Sequence, residues 1–296
     1  MEHVQWAEPR PALRSPVLIA AFTGWNDAGD AASTAVAHLV RAWDAQPLCS
    51  IDPEEFFDFQ SNRPQVRLVD GVTREIVFPT TEVTWTSTPA GDVLLLQGTE
   101  PQLRWRTFCD HVLGVARACD VRLLITLGAL LADVAHSRPV PLIGTATDDD
   151  LISRFGLQRS RYEGPTGIVG VLQHTCSQAG LPAASLWAAV PAYAPGNVSP
   201  KAALALVRRV SGIVGAGVDT AGLERASIAY VAEVSEQVAE DDDLAGYVHN
   251  LEAIADDEDD DEDSGEAGGI AEHDAGSAER LVEEVERYLR DQGADG

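Results

Sequence analysis

Four continuous apolar runs, separated by segments of helical periodicity, constrain the fold of this chain more than any other feature. The runs lie at Val17–Thr23, Val93–Gln97, Val121–Leu127 and Ala184–Val190. A strand without strict alternation of apolar and polar residues is buried on both of its faces. Helical segments of ten or more residues lie between them, at 28–43, 102–118 and 168–179. This alternation predicts an α/β domain with three α/β/α layers and a mostly parallel central sheet.

Weaker patterns complete the predicted element order. Short strands are expected at 66–69, 74–78 and 140–145, and two closing helices at 200–214 and 223–240. Residues 1–225 are therefore interpreted as the α/β domain, and residues 226–296 as a C-terminal helical extension.

The extension carries most of the charge of the chain. The formal net charge of the chain is −26. Residues 226–296 contain 24 acidic and 3 basic side chains and so contribute −21 of that charge. Eight consecutive acids, DDEDDDED, occupy 256–263. Like charges repel and bury no apolar surface, so we predict a disordered acidic loop at about 241–279. An acidic chain with one lysine is a poor partner for phosphate backbones, so nucleic-acid binding is not expected.

Several other classes of function lack their sequence signals. The four cysteines form no C-x-x-C pair and join no histidine cluster, so we expect neither a metal site nor a redox dithiol. No basic start precedes a long apolar run, and no run is long enough to span a bilayer. We therefore expect a cytoplasmic protein with no membrane partner and no cofactor.

The turn Gly24–Gly29, GWNDAG, follows the first apolar run and opens an alanine-rich helix. Its two glycines have the spacing of a phosphate-binding P-loop, but Asp30 and Ala31 stand where that loop needs lysine and a hydroxyl. Two interpretations remain. Asn26 or Asp27 caps the helix, or Trp25, Asn26 and Asp27 form a functional surface at the carboxyl edge of the sheet.

A second glycine-rich turn, SRYEGPTGIVG at 160–170, precedes the helix at 168–179. Its candidate residues are Glu163, Gly164, Thr166 and Gly167. The free amides of the helix start could bind an anion. Alternatively, Thr166 is simply the N-cap residue.

Two further segments carry candidate side chains. In GTEPQLRWRTF at 98–108, Glu100 and Arg104 have ion-pair spacing if both are helical, and Trp105 between arginines also suits a protein interface. In AHSRPVP at 135–141, His136 could act as a general base beside Arg138. No nucleophile motif accompanies His136, so we assign no catalytic residue and expect a loop histidine bonded to backbone.

Five motifs in order resemble the proteasome assembly chaperone 2 family, in its actinobacterial branch. They are GWNDAGDAASTAVAHL, EEFFDFQSNRPQV, GTEPQLRWRTF, LGALLADVAHSRPVP and SRYEGPTGIVGVL, and the resemblance spans about residues 15–290. It implies a fold similar to nucleoside phosphorylases and self-assembly into homo-oligomers. Eukaryotic members of this family chaperone assembly of the proteasome α-ring.

Two hypotheses for function follow. The first is a non-enzymatic, proteasome-assembly-chaperone-like protein that acts through protein–protein contacts, with proteasome subunits as partners. The second is a small-molecule enzyme of hydrolase or phosphorylase type, with a site built from Trp25–Asp27, His136, Arg138 and the turn at 163–167. For either, we expect a homo-oligomer, as a trimer or a multiple of three.

Overall fold

The computed structural model describes residues 3–263, and its main element is an eight-stranded sheet. The ten described strands are β1 (Val4–Trp6), β2 (Val17–Thr23), β3 (Gln46–Ile51), β4 (Gln65–Val69), β5 (Thr73–Val77), β6 (Thr81–Thr88), β7 (Gly91–Thr99), β8 (Leu123–Ala132), β9 (Leu142–Ala146) and β10 (Ala183–Pro191). Eight of them form this sheet, and β4 and β5 form a separate hairpin. The helices are α1 (Ala31–Ala42), α2 (Trp105–Ala118), α3 (Asp149–Phe155), α4 (Ile168–Gln178), α5 (Pro200–Val214), α6 (Ala221–Ala239) and α7 (Asp242–Asp263).

The sheet has a parallel centre and antiparallel margins. Its order is β1-β3-β6-β7-β2-β8-β10-β9. The four central strands β7, β2, β8 and β10 pair in parallel, whereas β1, β3, β6 and β9 pair antiparallel to their neighbours. The central four are the strands that the apolar runs predict, and the α/β fold class is confirmed.

Both faces of the central strands are covered, which explains the unbroken apolar runs. In β2, Val17, Ile19 and Ala21 face the core shared with α1 and α5. The alternate residues Leu18, Ala20 and Phe22 face the core shared with α2 and α4. Because successive side chains of a strand point to opposite faces, a strand between two helical layers needs an apolar residue at every position.

The hairpin β4–β5 forms a separate two-stranded sheet. Val66 pairs with Ile76, so these two side chains lie on one face, together with Leu68 two residues from Val66. This face, which we call the hairpin face, is open to solvent, with Val66, Leu68 and Ile76 exposed by 63%, 57% and 61%. The opposite face pairs Arg67 with Glu75. The hairpin face also carries Arg74, which pairs with Leu68, and the opposite face also carries Val69 and Val77. Each face therefore combines exposed apolar side chains with charged ones.

The acidic segment corrects one prediction. Residues 242–263 form helix α7, not a disordered loop. The helix is stabilised by Leu244, Val248 and Leu251, which recur at spacings of four and three and turn toward the body of the protein. Leu244 and Val248 pack against α6 through Val234 and Val238. The rest of the predicted loop, 264–279, lies outside the described residues, and the boundary at 225 stays a prediction.

Across residues 3–263, no helix has the length and apolar character needed to cross a membrane.

Candidate functional site

The turn after β2 holds its polar residues inside the protein. Asp27 is buried, and its Oδ1 accepts hydrogen bonds from the backbone amides of Ala32 at 2.7 Å and Ser33 at 3.2 Å. These amides belong to the first turn of α1, so the Asp27 side chain caps that turn, while Asp30 holds the N-cap position itself. Burial raises the pKa of the Asp27 carboxyl to about 6, although the hydrogen bonds from Ser33 and Ala32 oppose that shift.

Asn26 connects this turn to two other segments through Glu100. Asn26 Nδ2 donates to Glu100 Oε1 at 2.8 Å, and the same oxygen accepts the backbone amide of Ile168, the first residue of α4, at 2.8 Å. The Asn26 amide also lies so close to Gly167 that a Cβ there would be 2.2 Å from Nδ2. A carboxylate from another loop therefore occupies the positive end of α4.

This contact overturns two predictions. Thr166 is not the N-cap of α4, since Gly167 holds that position and Glu100 binds the first free amide. Glu100 and Arg104 do not form the expected ion pair. Arg104 has positive φ immediately before α2, so the two residues do not share a helix, and Arg104 pairs instead with Glu55.

A cavity of about 140 Å³ lies beside the start of α4, between this helix and strands β8, β10 and β9. Aromatic and aliphatic side chains form much of its lining, and the remaining lining residues are uncharged and mostly polar. The lining residues are Trp25, Asn26, Leu130, Ile143, Thr145, Ser160, Tyr162, Pro165, Thr166, Gly170, Gln173, Ser185 and Trp187.

The cavity brings together only part of the predicted site. Trp25, Asn26 and Thr166 line it. Gly164 packs under the Tyr162 ring, where a Cβ would be 2.4 Å from the hydroxyl oxygen. Glu163 is exposed and is not a lining residue. Trp105 lies at the start of α2, where its Nε1 donates to the carbonyl of Pro101.

His136 lies in a separate recess and is not a lining residue of the cavity. Its Nδ1 is 2.8 Å from Tyr193 Oη, and its Nε2 is 2.9 Å from Ser235 Oγ. Because Ser235 donates its own proton to the carbonyl of Val231, its oxygen accepts from Nε2–H, and Nδ1 accepts from Tyr193. Burial lowers the pKa of His136, which favours this neutral form. The ring thus bonds hydroxyl side chains rather than the backbone that we expected.

Arg138 also lies in this recess and holds helix α7. Its Nε and Nη2 donate to the two carboxylate oxygens of Asp256 at 2.6 and 2.7 Å, and Nη1 is 3.6 Å from Glu252. The acidic helix therefore covers the loop that carries His136 and Arg138. The residues that the enzyme hypothesis places in one site therefore lie in two places. Trp25 and Asn26 line the cavity, whereas His136 and Arg138 lie in the recess.

Several lining residues were not predicted from the sequence, among them Thr145, Tyr162, Gln173 and Trp187. Trp187 lies in an apolar run that predicted only a buried strand. A usable signal was Gly128 on the neighbouring strand, since a Cβ there would be 2.5 Å from the Trp187 ring. A glycine opposite a tryptophan marks a ring lying flat over the sheet.

The cavity can bind a molecule only through uncharged side chains. No carboxylate, imidazole, guanidinium or amine belongs to the lining residues found between residues 3 and 263. The same part of the chain contains no group of three or more His, Cys, Asp or Glu side chains that could hold a metal ion. Its four cysteines are buried, and burial raises the pKa of Cys49, Cys109 and Cys176 to about 12.

Comparison with known proteins places the chain among related sequences and structures. A family model described as the PAC2 family matches residues 21–238. A proteasome-assembly chaperone homologue from Mycobacterium tuberculosis is 50% identical, with a TM-score of 0.71, over 78% of this chain and 99% of that one. A PAC2 family protein from Streptomyces avermitilis is 46% identical, with a TM-score of 0.74, over 79% and 99% of the two chains.

More distant structures share the fold. An archaeal proteasome activator from Pyrococcus furiosus has a TM-score of 0.65 at 18% identity, over 81% of this chain and 99% of that one. The comparison with curated proteins finds no significant match.

Proposed function

The chain belongs to the PAC2 family, and from this premise we propose that it is a non-enzymatic, proteasome-assembly-chaperone-like protein that binds proteasome subunits. The partner is inferred from the mycobacterial relative, which is a proteasome-assembly chaperone homologue. The mode of action, protein–protein contact, is inferred from the surface of this chain.

The hairpin face is the observation that carries the proposal. Val66, Leu68 and Ile76 present three exposed apolar side chains on one face of a separate two-stranded sheet, beside Arg74, which lies opposite Leu68. Val72 at the tip of the hairpin is exposed by 84%. Soluble proteins that expose apolar clusters of this kind use them as contact sites for other proteins, and exposed strand edges add backbone groups that can pair with another chain.

An aromatic contact joins the end of the hairpin to the segment before it. Phe78, directly after β5, packs edge-to-face on Phe59 with ring centroids 5.1 Å apart. The opposite face, with Arg67 across from Glu75, offers cross-strand charge pairing within the hairpin itself. On the hairpin face no acidic side chain lies across from Arg74, and Val66, Leu68 and Ile76 supply the surface for a proteasome subunit.

The test is reconstitution of proteasome assembly from purified α- and β-subunits of an organism that carries a close relative of this chain. The wild-type protein is expected to bind an assembly intermediate and to raise the yield of assembled particles. Replacing Val66, Leu68 and Ile76 by serine is expected to abolish binding while the α/β domain stays folded. The matched control replaces Arg67 and Glu75 by serine on the opposite face and is expected to bind normally.

Two results would contradict the proposal. One is that no subunit or intermediate binds the wild-type protein. The other is equal loss of binding in the hairpin-face variant and in the opposite-face control. Self-assembly into a trimer, or a multiple of three, stays a separate prediction, and light scattering of the purified protein measures it directly.

A further inference from the structure

We propose that the cavity beside α4 is a binding site for an uncharged aromatic molecule whose ring carries an amide-like polar edge. This site is independent of the hairpin face and of the proposed contact with proteasome subunits. Four properties of the cavity favour such a ligand: its size, its fixed aromatic walls, its lack of charge and its polar wall.

The cavity has the size of a small-molecule site. A volume of about 140 Å³ corresponds to room for on the order of ten water molecules. A single substituted ring fits such a space. Trp25, which is 40% exposed, lies at the rim and gives the cavity an aromatic edge toward solvent.

The aromatic walls are held in place before any ligand arrives. The Tyr162 hydroxyl donates to the carbonyl of Pro165 at 2.6 Å, and its ring lies against the backbone of Gly164. Trp187 lies over Gly128, where any larger residue would collide with the ring. Walls fixed in this way lose little conformational entropy on binding, which favours a flat ring between them.

The electrostatics of the cavity favour an uncharged ligand. The lining side chains carry no formal charge at neutral pH. The start of α4 would ordinarily attract an anion, but Glu100 already accepts the Ile168 amide there. An anionic ligand would lose its hydration without gaining a cation, and a cationic ligand would gain no carboxylate within the lining.

One wall supplies neutral hydrogen-bonding groups. Thr145 on β9, Thr166 before α4 and Gln173 on α4 all line the cavity. The Gln173 side-chain amide reaches the Thr145 carbonyl only at a long 3.4 Å. Hydroxyl and carboxamide groups both donate and accept, so the complementary ligand edge is one that also donates and accepts, as a primary carboxamide does.

Three probes with the same number of non-hydrogen atoms test this chemistry: benzamide, benzoate and cyclohexanecarboxamide. Binding is measured by ligand-observed NMR and mapped by the indole N–H signals of Trp25 and Trp187. Benzamide is expected to bind and to shift both signals. Benzoate is expected to bind at least about tenfold more weakly because its charge is unpaired, and cyclohexanecarboxamide more weakly because it lacks the flat ring.

Variants locate the site without disturbing the core. Trp25→Ala truncates an exposed rim residue and is expected to weaken benzamide binding about tenfold, and Trp25→Phe to restore most of it. Ser160→Trp fills the cavity from its exposed rim and is expected to abolish binding. Leu103→Ala, at an exposed site outside the lining, is the control and is expected to bind as the wild type does.

The proposal is overturned if benzoate binds as tightly as benzamide, if benzamide shifts neither indole signal, or if no probe binds up to its solubility limit. It is also overturned if Ser160→Trp, shown to be folded by circular dichroism, binds benzamide normally.

Discussion

Asn26 and Glu100, 74 positions apart in the sequence, meet through a 2.8 Å hydrogen bond from the asparagine Nδ2 to the glutamate Oε1. Glu100 Oε1 also accepts the first amide of α4. The single carboxylate therefore joins the turn after β2, the loop after β7 and the start of α4. The position of the helix that borders the cavity depends on this junction.

Glu100→Gln is expected to lower the free energy of unfolding by about 1 kcal/mol, because a neutral acceptor interacts less strongly with the start of α4. Chemical denaturation measures the change. The control Glu163→Gln removes an exposed charge from the nearby turn and should change stability by less than about 0.5 kcal/mol. Equal effects of the two substitutions would contradict the capping role of Glu100.

Asp27→Asn tests the cost of burying a carboxyl with a pKa of about 6, raised from 3.8 chiefly by burial. Between those pH values, the native state holds more protons at Asp27 than the unfolded state, so its contribution to stability falls as pH rises. The variant keeps an acceptor oxygen and loses this dependence. Its stability relative to wild type should therefore rise between pH 4 and pH 6, by on the order of 2 kcal/mol.

Unfolding curves at a series of pH values measure that difference. A difference between the two proteins that is flat across the same window would contradict a raised pKa for Asp27.

Arg138→Gln is expected to loosen α7 while leaving the central sheet unchanged. The substitution removes the two-point contact with Asp256 and the ion pair with Glu252. Partly exposed pairs of this kind are screened by solvent and salt, so we expect a local effect on α7 and little change in global stability. Hydrogen exchange should accelerate in α7 alone, and added salt should reduce the effect.

Arg159→Gln is the matched control for α7, because Arg159 pairs with Asp149 on a different helix. Faster exchange of α7 in this control, or unchanged exchange in Arg138→Gln, would show that the arginine does not hold the helix.

The cysteines are expected to be unreactive in the folded protein. All four are buried, and burial raises the pKa of Cys109 and Cys176 to about 12, which leaves almost no thiolate at pH 8. A thiol reagent at that pH should label none of them before denaturation and all four afterwards. Rapid labelling of the native protein would contradict the structure of the α2–α4 layer.

The central strands were predictable because burial on two faces leaves unbroken apolar runs. The ends of the strands and helices were harder to predict. Strand β8 continues through Gly128 to Ala132, since that glycine makes room for Trp187 and does not break the strand. Strand β6 was missed because its buried positions include Thr81, Thr84 and Thr86, which resemble a polar loop in sequence.

The site was less predictable than the fold because its contacts join distant residues. Sequence spacing suggested that Glu100 pairs with Arg104, four positions away, whereas the structure pairs it with Asn26. The helical character of 242–263 was missed because the acidic run obscured the apolar spacing of Leu244, Val248 and Leu251. Local charge patterns are a weak guide where tertiary packing supplies the partner.

Hydrogen exchange of residues 65–77, measured with and without proteasome subunits, tests the central claim most directly. We expect fast exchange in these strands for the protein alone, and strong protection when an assembly intermediate is bound. The Val66, Leu68 and Ile76 serine variant should show no such protection. Unchanged exchange of the hairpin in a complex that demonstrably forms would contradict the claim that this face is the contact surface.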